Sequence, residues 1–166
     1  MLFADEHELI DRIALALIRR KERMGTAESC TGGLIAAACT ELPGSSQWFE
    51  RGVVSYSNQA KTELLGVPPA VMEVHGAVSE EVARHMARGL LAHAPLEWAL
   101  SVTGIAGPTG GSEGKPVGTV WLALAHSGGP VKVWREHFEG DRHDVRLATV
   151  RAGLLALCEA VEEKEA

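Results

Sequence analysis

Cysteine is scarce in this chain, and the three present, Cys30, Cys39 and Cys158, form an odd set with no C-x-x-C spacing. A fully paired disulfide framework is excluded, zinc and dithiol redox chemistry have no sequence sign, and a reducing cytoplasm is the expected home. Long apolar runs are missing as well: no stretch approaches the ~18 residues a membrane helix needs. The opening Met1-Leu2-Phe3-Ala4-Asp5-Glu6 lacks the basic segment that begins a secretory signal. Aromatic residues are few, with four Trp, three Phe and a single tyrosine, Tyr56, too few for the stacking platforms of single-strand binders. Positive charge is in deficit, 16 Lys and Arg against 22 Asp and Glu for a net of -6, which argues against a nucleic-acid partner. A local anion site needs only two or three placed donors, so net charge leaves that open.

What is present is ordinary for a soluble globular chain: 166 residues, 46% hydrophobic and 23% charged. A chain of this size buries roughly 70% of its unfolded surface without help from disulfides or metal. No repeat, low-complexity tract or linker divides it, so one domain over 1–166 is expected. Leu9, Ile10, Ile13, Leu17 and Ile18 predict an amphipathic helix over 7–20. A strand over 24–28 feeds a turn, Ser29-Cys30-Thr31-Gly32-Gly33, which opens the helix-prone run 34–39, ended by Pro43 and Gly44. The β-branched stretch 52–57 predicts a strand, and 59–65 a short helix stopping at Gly66. Ser79 is an N-cap for a helix burying Val82, Met86 and Leu90. Strands follow at 98–102, 119–125 and 131–138, the last two joined by a hairpin turn at 127–130. A final helix from Asp141 is expected to bury Val145, Ala148, Leu154, Leu155, Cys158 and Val161. This order predicts an α/β three-layer sandwich: a mixed, largely parallel sheet flanked by helices.

Three segments can carry chemistry, each with a plainer reading beside it. Ser29 sits at a strand-to-helix turn where free N–H groups bind anions or an oxyanion, which suits a nucleophile; equally, Ser29 or Thr31 caps the helix and Gly32 and Gly33 allow close packing. A serine nucleophile needs a base. The seven histidines form no motif, so a Ser-His pair has weak support, and Lys61, five residues after Tyr56, is the other candidate. The plainer reading packs Tyr56 in the sheet and leaves Lys61 solvated. The segment 103–118 has six glycines in sixteen positions. It is no phosphate loop, since Thr109 and Pro116 replace required residues and a strand follows, but so long a loop after a buried strand can approach a ligand closely. Arg142 and Arg146, four apart at a helix start, either clamp a phosphate or pair with Asp141, Asp144 or another acid.

Taken in order, Ala27-Glu28-Ser29-Cys30-Thr31-Gly32-Gly33, Gly52-Val53-Val54-Ser55-Tyr56-Ser57-Asn58 with Lys61, Gly76-Ala77-Val78-Ser79, and Val102-Thr103-Gly104-Ile105-Ala106-Gly107-Pro108 with Gly118-Thr119-Val120 resemble the C-terminal domain of the CinA (competence/damage-inducible) proteins, over about 7–160. That family contains nicotinamide-nucleotide amidases, which turn nicotinamide mononucleotide into nicotinic acid mononucleotide and ammonia in pyridine-nucleotide salvage. Longer members carry a molybdopterin-binding-like domain before this one, so the chain resembles the stand-alone form. The resemblance implies Ser29 as nucleophile with Lys61 and Tyr56 activating it, and N–H groups of Cys30, Thr31, Gly32 and Gly33 holding the oxyanion. It further implies Asn58 and Thr31 orienting substrate or lysine, and the ribose phosphate held by the loop 104–111 with Arg142, the substrate-binding residues including Thr103, Gly104, Ile105, Ala106 and Gly107. A small nucleotide substrate, no metal, no cofactor and a homo-oligomer are expected. The alternatives are a non-catalytic nucleotide-binding or regulatory module, and a Ser-His esterase or different amidase.

Overall fold

The structure is a computed structural model that describes residues 3–164; Met1, Leu2, Glu165 and Ala166, the ends of the span assigned to one domain, lie outside the described residues. In chain order the elements are α1 (His7–Arg20), β1 (Met24–Glu28), α2 (Leu34–Thr40), β2 (Phe49–Val54), α3 (Asn58–Leu65), α4 (Pro69–His75), α5 (Glu80–His93), β3 (Trp98–Gly104), β4 (Thr119–His126), β5 (Lys132–His137) and α6 (Arg142–Glu163). The sheet order is β2-β1-β3-β4-β5. β1 pairs in parallel with β2 and β3, while β3–β4 and β4–β5 are antiparallel, so within this sheet only β4 runs against the others. The α/β sandwich with a mixed, largely parallel sheet is therefore as expected.

The layers follow from the two-residue alternation of the strands. Leu100, Val102, Val120, Leu122 and Leu124 face a core shared with α1, α2 and α6. Their neighbours in sequence, Ala99, Ala123 and Ala125, face the other way with Ala27, against α3, α4 and α5. Small side chains on that second face let α5 lie close to the sheet, where Ser101 donates its hydroxyl to the Ala83 carbonyl at 2.7 Å. Close approach recurs between α5 and α3: a Cβ on Gly89 would collide with the Leu65 carbonyl oxygen. Full burial of each large aliphatic side chain, Ile10, Ile13 and Leu17 on α1 for instance, contributes roughly 1.5–3 kcal/mol.

Several boundaries differ from expectation. β2 runs over Phe49–Val54 rather than 52–57, because Ser57 leaves the sheet to cap α3, accepting from the Ala60 N–H at 3.0 Å. α4 was not foreseen; Pro69 at its start and Gly76 at its end are the signals that mark so short a helix. On α6 Leu155 is exposed and Ala148 half-buried, since the inward stripe passes through Thr149, Gly153, Leu157 and Val161 instead. Ile18 on α1 is likewise exposed, its inward place taken by Ala16.

Candidate active site

From β1 the chain passes outward to β2, then back across β1 to β3. A crevice opens at the carboxyl ends of these parallel strands, the usual ligand position in open α/β sheets. β1 is buried throughout and ends in Glu28. The chain then reverses through Ser29–Gly33, with Gly32 at φ +60° and Gly33 at φ +99°, a left-handed geometry that glycine adopts without strain. Glu28 itself is buried, and its carboxylate accepts from the Thr26 hydroxyl at 3.0 Å, the Thr31 hydroxyl at 2.6 Å, and the Ile35 and Ala36 N–H groups at 2.9 Å each. The first turn of α2 thus spends these two N–H groups on an internal acid.

Ser29 stands at the wall of the crevice, opposite Lys61 on α3. Lys61 is 1% exposed, and its Nζ lies 3.0 Å from Ser29 Oγ, 3.1 Å from the Ser55 carbonyl and 3.1 Å from the Tyr56 carbonyl. Among the described residues no carboxylate forms an ion pair with it. Burial pushes its pKa below the ordinary lysine range, a shift opposed only weakly by Cys30. A neutral amine has two hydrogens and one lone pair. The two carbonyls match the hydrogens, which leaves the lone pair for the Ser29 hydroxyl, the geometry of a general base on its nucleophile. Cys30, next in sequence, is no rival nucleophile, because burial pushes its thiol up to about 12.

The cavity in front of the pair measures about 260 Å³. Ser29, Cys30, Tyr56, Asn58 and Lys61 line it together with Thr103, Gly104, Ile105, Ala106, Gly107 and Arg142. No histidine is in that wall. Arg142 donates to the Gly107 carbonyl at 2.8 Å and to the Tyr56 hydroxyl at 3.0 Å, which holds its guanidinium at the rim.

With this geometry in view, the relatives are informative. The sequence profile described as the CinA C-terminal domain matches residues 6–161. The chain belongs to the CinA C-terminal domain family. This CinA domain is 52% identical over 150 residues to a protein of Shigella flexneri named nicotinamide-nucleotide amidohydrolase PncC, covering 90% of this chain and 91% of that one. It is 55% identical to a CinA-like protein of Geobacter sp. (strain M21), covering 89% of this chain but 36% of that longer protein. Among solved structures, a competence/damage inducible protein from Agrobacterium tumefaciens superposes with a TM-score of 0.92 at 44% identity, covering 96% of each chain.

The CinA domain departs from the sequence reading in three places. The Tyr56 hydroxyl turns to Arg142, so Tyr56 meets Lys61 through its carbonyl and a proton relay through the phenol has no contact to run on. Thr31, Gly32 and Gly33 stand behind Ser29 rather than in the cavity wall: Thr31 serves Glu28, Gly32 gives its N–H to the Ser29 carbonyl at 3.0 Å, and Gly33 is the N-cap of α2. Arg146 does not join Arg142 as a clamp, because it donates to the carbonyls of Cys30 at 3.1 Å and Thr31 at 3.0 Å. Sequence reasoning gave the wall residues Ala77 and Val78 no role, and none to Glu28, while Thr109 and Gly110 of the wall fall within the loop 104–111 expected to hold the phosphate. An acid ending a buried strand was the available signal for Glu28. Among the described residues no cluster of His, Cys, Asp or Glu is arranged to hold a metal ion, and no helix is long and apolar enough to cross a membrane.

Proposed function

We propose that this CinA domain is an amidohydrolase that deamidates nicotinamide mononucleotide to nicotinic acid mononucleotide and ammonia, as part of pyridine-nucleotide salvage in the cytoplasm. The observation that carries the reading is the buried Lys61 Nζ 3.0 Å from Ser29 Oγ, with its remaining contacts to two carbonyls. The names of relatives about half identical in sequence support the substrate.

Neutral Lys61 takes the Ser29 proton as Oγ bonds to the carboxamide carbon, and the carbonyl oxygen becomes an oxyanion. Its donors come from the turn, with the Cys30 N–H next to the nucleophile; Gly32 is excluded by its bond to the Ser29 carbonyl. Protonated Lys61 returns the proton to the amide nitrogen, the C–N bond breaks and ammonia leaves an acyl-Ser29 ester. Water then attacks that ester while Lys61 again takes a proton, and Ser29 recovers it as the acid departs. Asn58 orients the carboxamide from the start of α3. Arg142 and the loop from Thr103 to Gly107 hold the ribose phosphate at the rim, with the guanidinium N–H groups that are not given to Gly107 and Tyr56. Tyr56 keeps Arg142 in place. One chain supplies every residue named, and assembly into a homo-oligomer is part of the proposal only as a setting for the site.

The test is ammonia release from nicotinamide mononucleotide, without added metal, by the parent, Ser29→Ala and Lys61→Ala. Turnover in the parent that falls at least a thousandfold in both variants supports the reading. Binding without turnover in the parent replaces it with a non-catalytic module, and full activity in Lys61→Ala removes the base.

A further inference from the structure

Glu28 is the one fully buried acid in the structure's described core, and the chemistry above leaves it unused. Each of its carboxylate oxygens accepts twice: Oε1 from Thr31 Oγ and the Ile35 N–H, Oε2 from Thr26 Oγ and the Ala36 N–H. A buried charge is costly unless its hydrogen bonds are complete, and apolar replacements of buried ionic groups are often neutral or stabilising. Stability alone is a weak reason for an acid here, so its geometry has to be considered.

Glu28 is linked to both halves of the reactive pair. Its side chain fixes the turn that begins with Ser29, by tying Thr31 and the first turn of α2 back onto β1. Its main-chain carbonyl accepts from the Ser55 N–H at 2.9 Å, and the Ser55 carbonyl is one of the two that receive Lys61 Nζ. Ser29 is further fixed by its own N–H to the Val102 carbonyl at 3.1 Å. Displacement of Glu28 is thus transmitted to the nucleophile through one covalent bond and to the base through two hydrogen bonds, by way of Ser55.

We infer that Glu28 is a positioning residue, whose acceptor-only carboxylate sets the distance and direction between Ser29 and Lys61. The inference rests on the reading of Ser29 and Lys61 as nucleophile and base, though not on the identity of the substrate. A volume-matched amide cannot take its place. Glutamine would turn an NH2 toward one threonine hydroxyl and one backbone N–H; the hydroxyl can rotate to accept, but the N–H is left facing a donor.

The experiment uses Glu28→Gln in the full chain, with three readouts: thermal unfolding, kcat and KM for ammonia release from nicotinamide mononucleotide, and the titration of Lys61 followed by the NMR signal of its ε-carbon. A folded Glu28→Gln with kcat at least thirtyfold lower, KM within threefold, and Lys61 titrating nearer the ordinary lysine range supports the inference. A folded variant with kcat and the Lys61 titration both unchanged overturns it. A kcat loss that only matches a loss of folded protein, with Lys61 unmoved, assigns Glu28 to the fold and also overturns it. Should Glu28→Gln fail to fold, Thr26→Val decides: it removes one bond to Oε2 at a position outside the cavity wall, and a threefold to tenfold fall in kcat with unchanged KM is expected, whereas no change overturns the inference. If the parent does not cleave the nucleotide, the substrate reading fails, while the Lys61 titration still tests Glu28.

Discussion

The two ends of the sheet treat their basic groups in opposite ways. At the carboxyl end of β1, Lys61 is buried against carbonyls and a serine, without an acid. At the other end, Glu22 accepts from the Trp98 indole at 2.7 Å and from Arg20 at 2.8 Å, and His126 lies against the Trp98 ring with Lys164 beside it. Burial raises the Glu22 pKa, but the bonds from Trp98 and Arg20 outweigh it and hold the carboxyl below its usual value. One end pairs its basic groups and ties α6 to the sheet; the other leaves an amine without an acid beside it, so that its neutral form and free lone pair are favoured. Stability and reactivity are separated along the length of the strands.

The strongest way to break this contrast is Lys61→Met. Ammonia release should fall by about a thousandfold or more, within the range for loss of an acid–base group, while the protein is as stable as the parent or more so. The pH dependence has a definite sign. The folded-state pKa of Lys61 is depressed, so between that value and the ordinary ~10.4 the unfolded chain binds more protons and parent stability rises with pH. The stability advantage of Lys61→Met, read as a difference in melting temperature, should be full below the folded pKa and disappear as pH rises through the ordinary lysine range. A constant gap would mean that Lys61 is not destabilised by burial. Parent activity should fall as pH drops through the depressed lysine pKa.

Arg142→Ala tests the rim. Loss of a charge-assisted bond costs roughly 1.5–3 kcal/mol, so KM for the mononucleotide should rise about tenfold to a hundredfold with a smaller change in kcat. An unchanged KM would move the phosphate elsewhere. At the opposite end, Glu22→Gln should lower stability by about 1–2 kcal/mol and leave ammonia release within twofold. Its depressed pKa gives stability that is present above the unfolded value and lost as pH falls through the folded one, so the deficit should shrink in acid. A large activity loss in this variant would show that the two ends are coupled. The smallest effect belongs to Cys30: with its thiol held up at about 12, brief treatment with iodoacetamide at neutral pH should leave activity nearly intact. Rapid inactivation prevented by Cys30→Ala would place an exposed thiolate in the cavity.

Much of this was legible in the residues. Periodicity located α1, α5 and α6, capping signals located Ser79 and Asp141, and the hairpin of β4 and β5 followed from Ser127-Gly128-Gly129-Pro130. Ordered motifs placed Ser29, Lys61, Asn58 and the loop from Thr103 to Gly107 near one another, and all of these line the cavity. Less legible were residues whose partners are remote in sequence. Arg146 reaches the carbonyls of Cys30 and Thr31, more than a hundred residues away, and nothing near Arg146 announces them. Tyr56 and Arg142 are 86 residues apart, so nothing local offers the phenol an alternative to the nearby lysine.

By itself, then, the sequence determined the elements, their apolar faces and the chemical types brought to the turn and the loop, because periodicity, caps and glycine turns are local effects. Only the tertiary structure decided which donor meets which acceptor. Lys61 becomes a base because α3 buries it against two carbonyls facing Ser29, and Glu28 caps α2 because β1 ends beside that helix. Both depend on burial and direction, which are fixed by packing across the sheet and are encoded in no short segment.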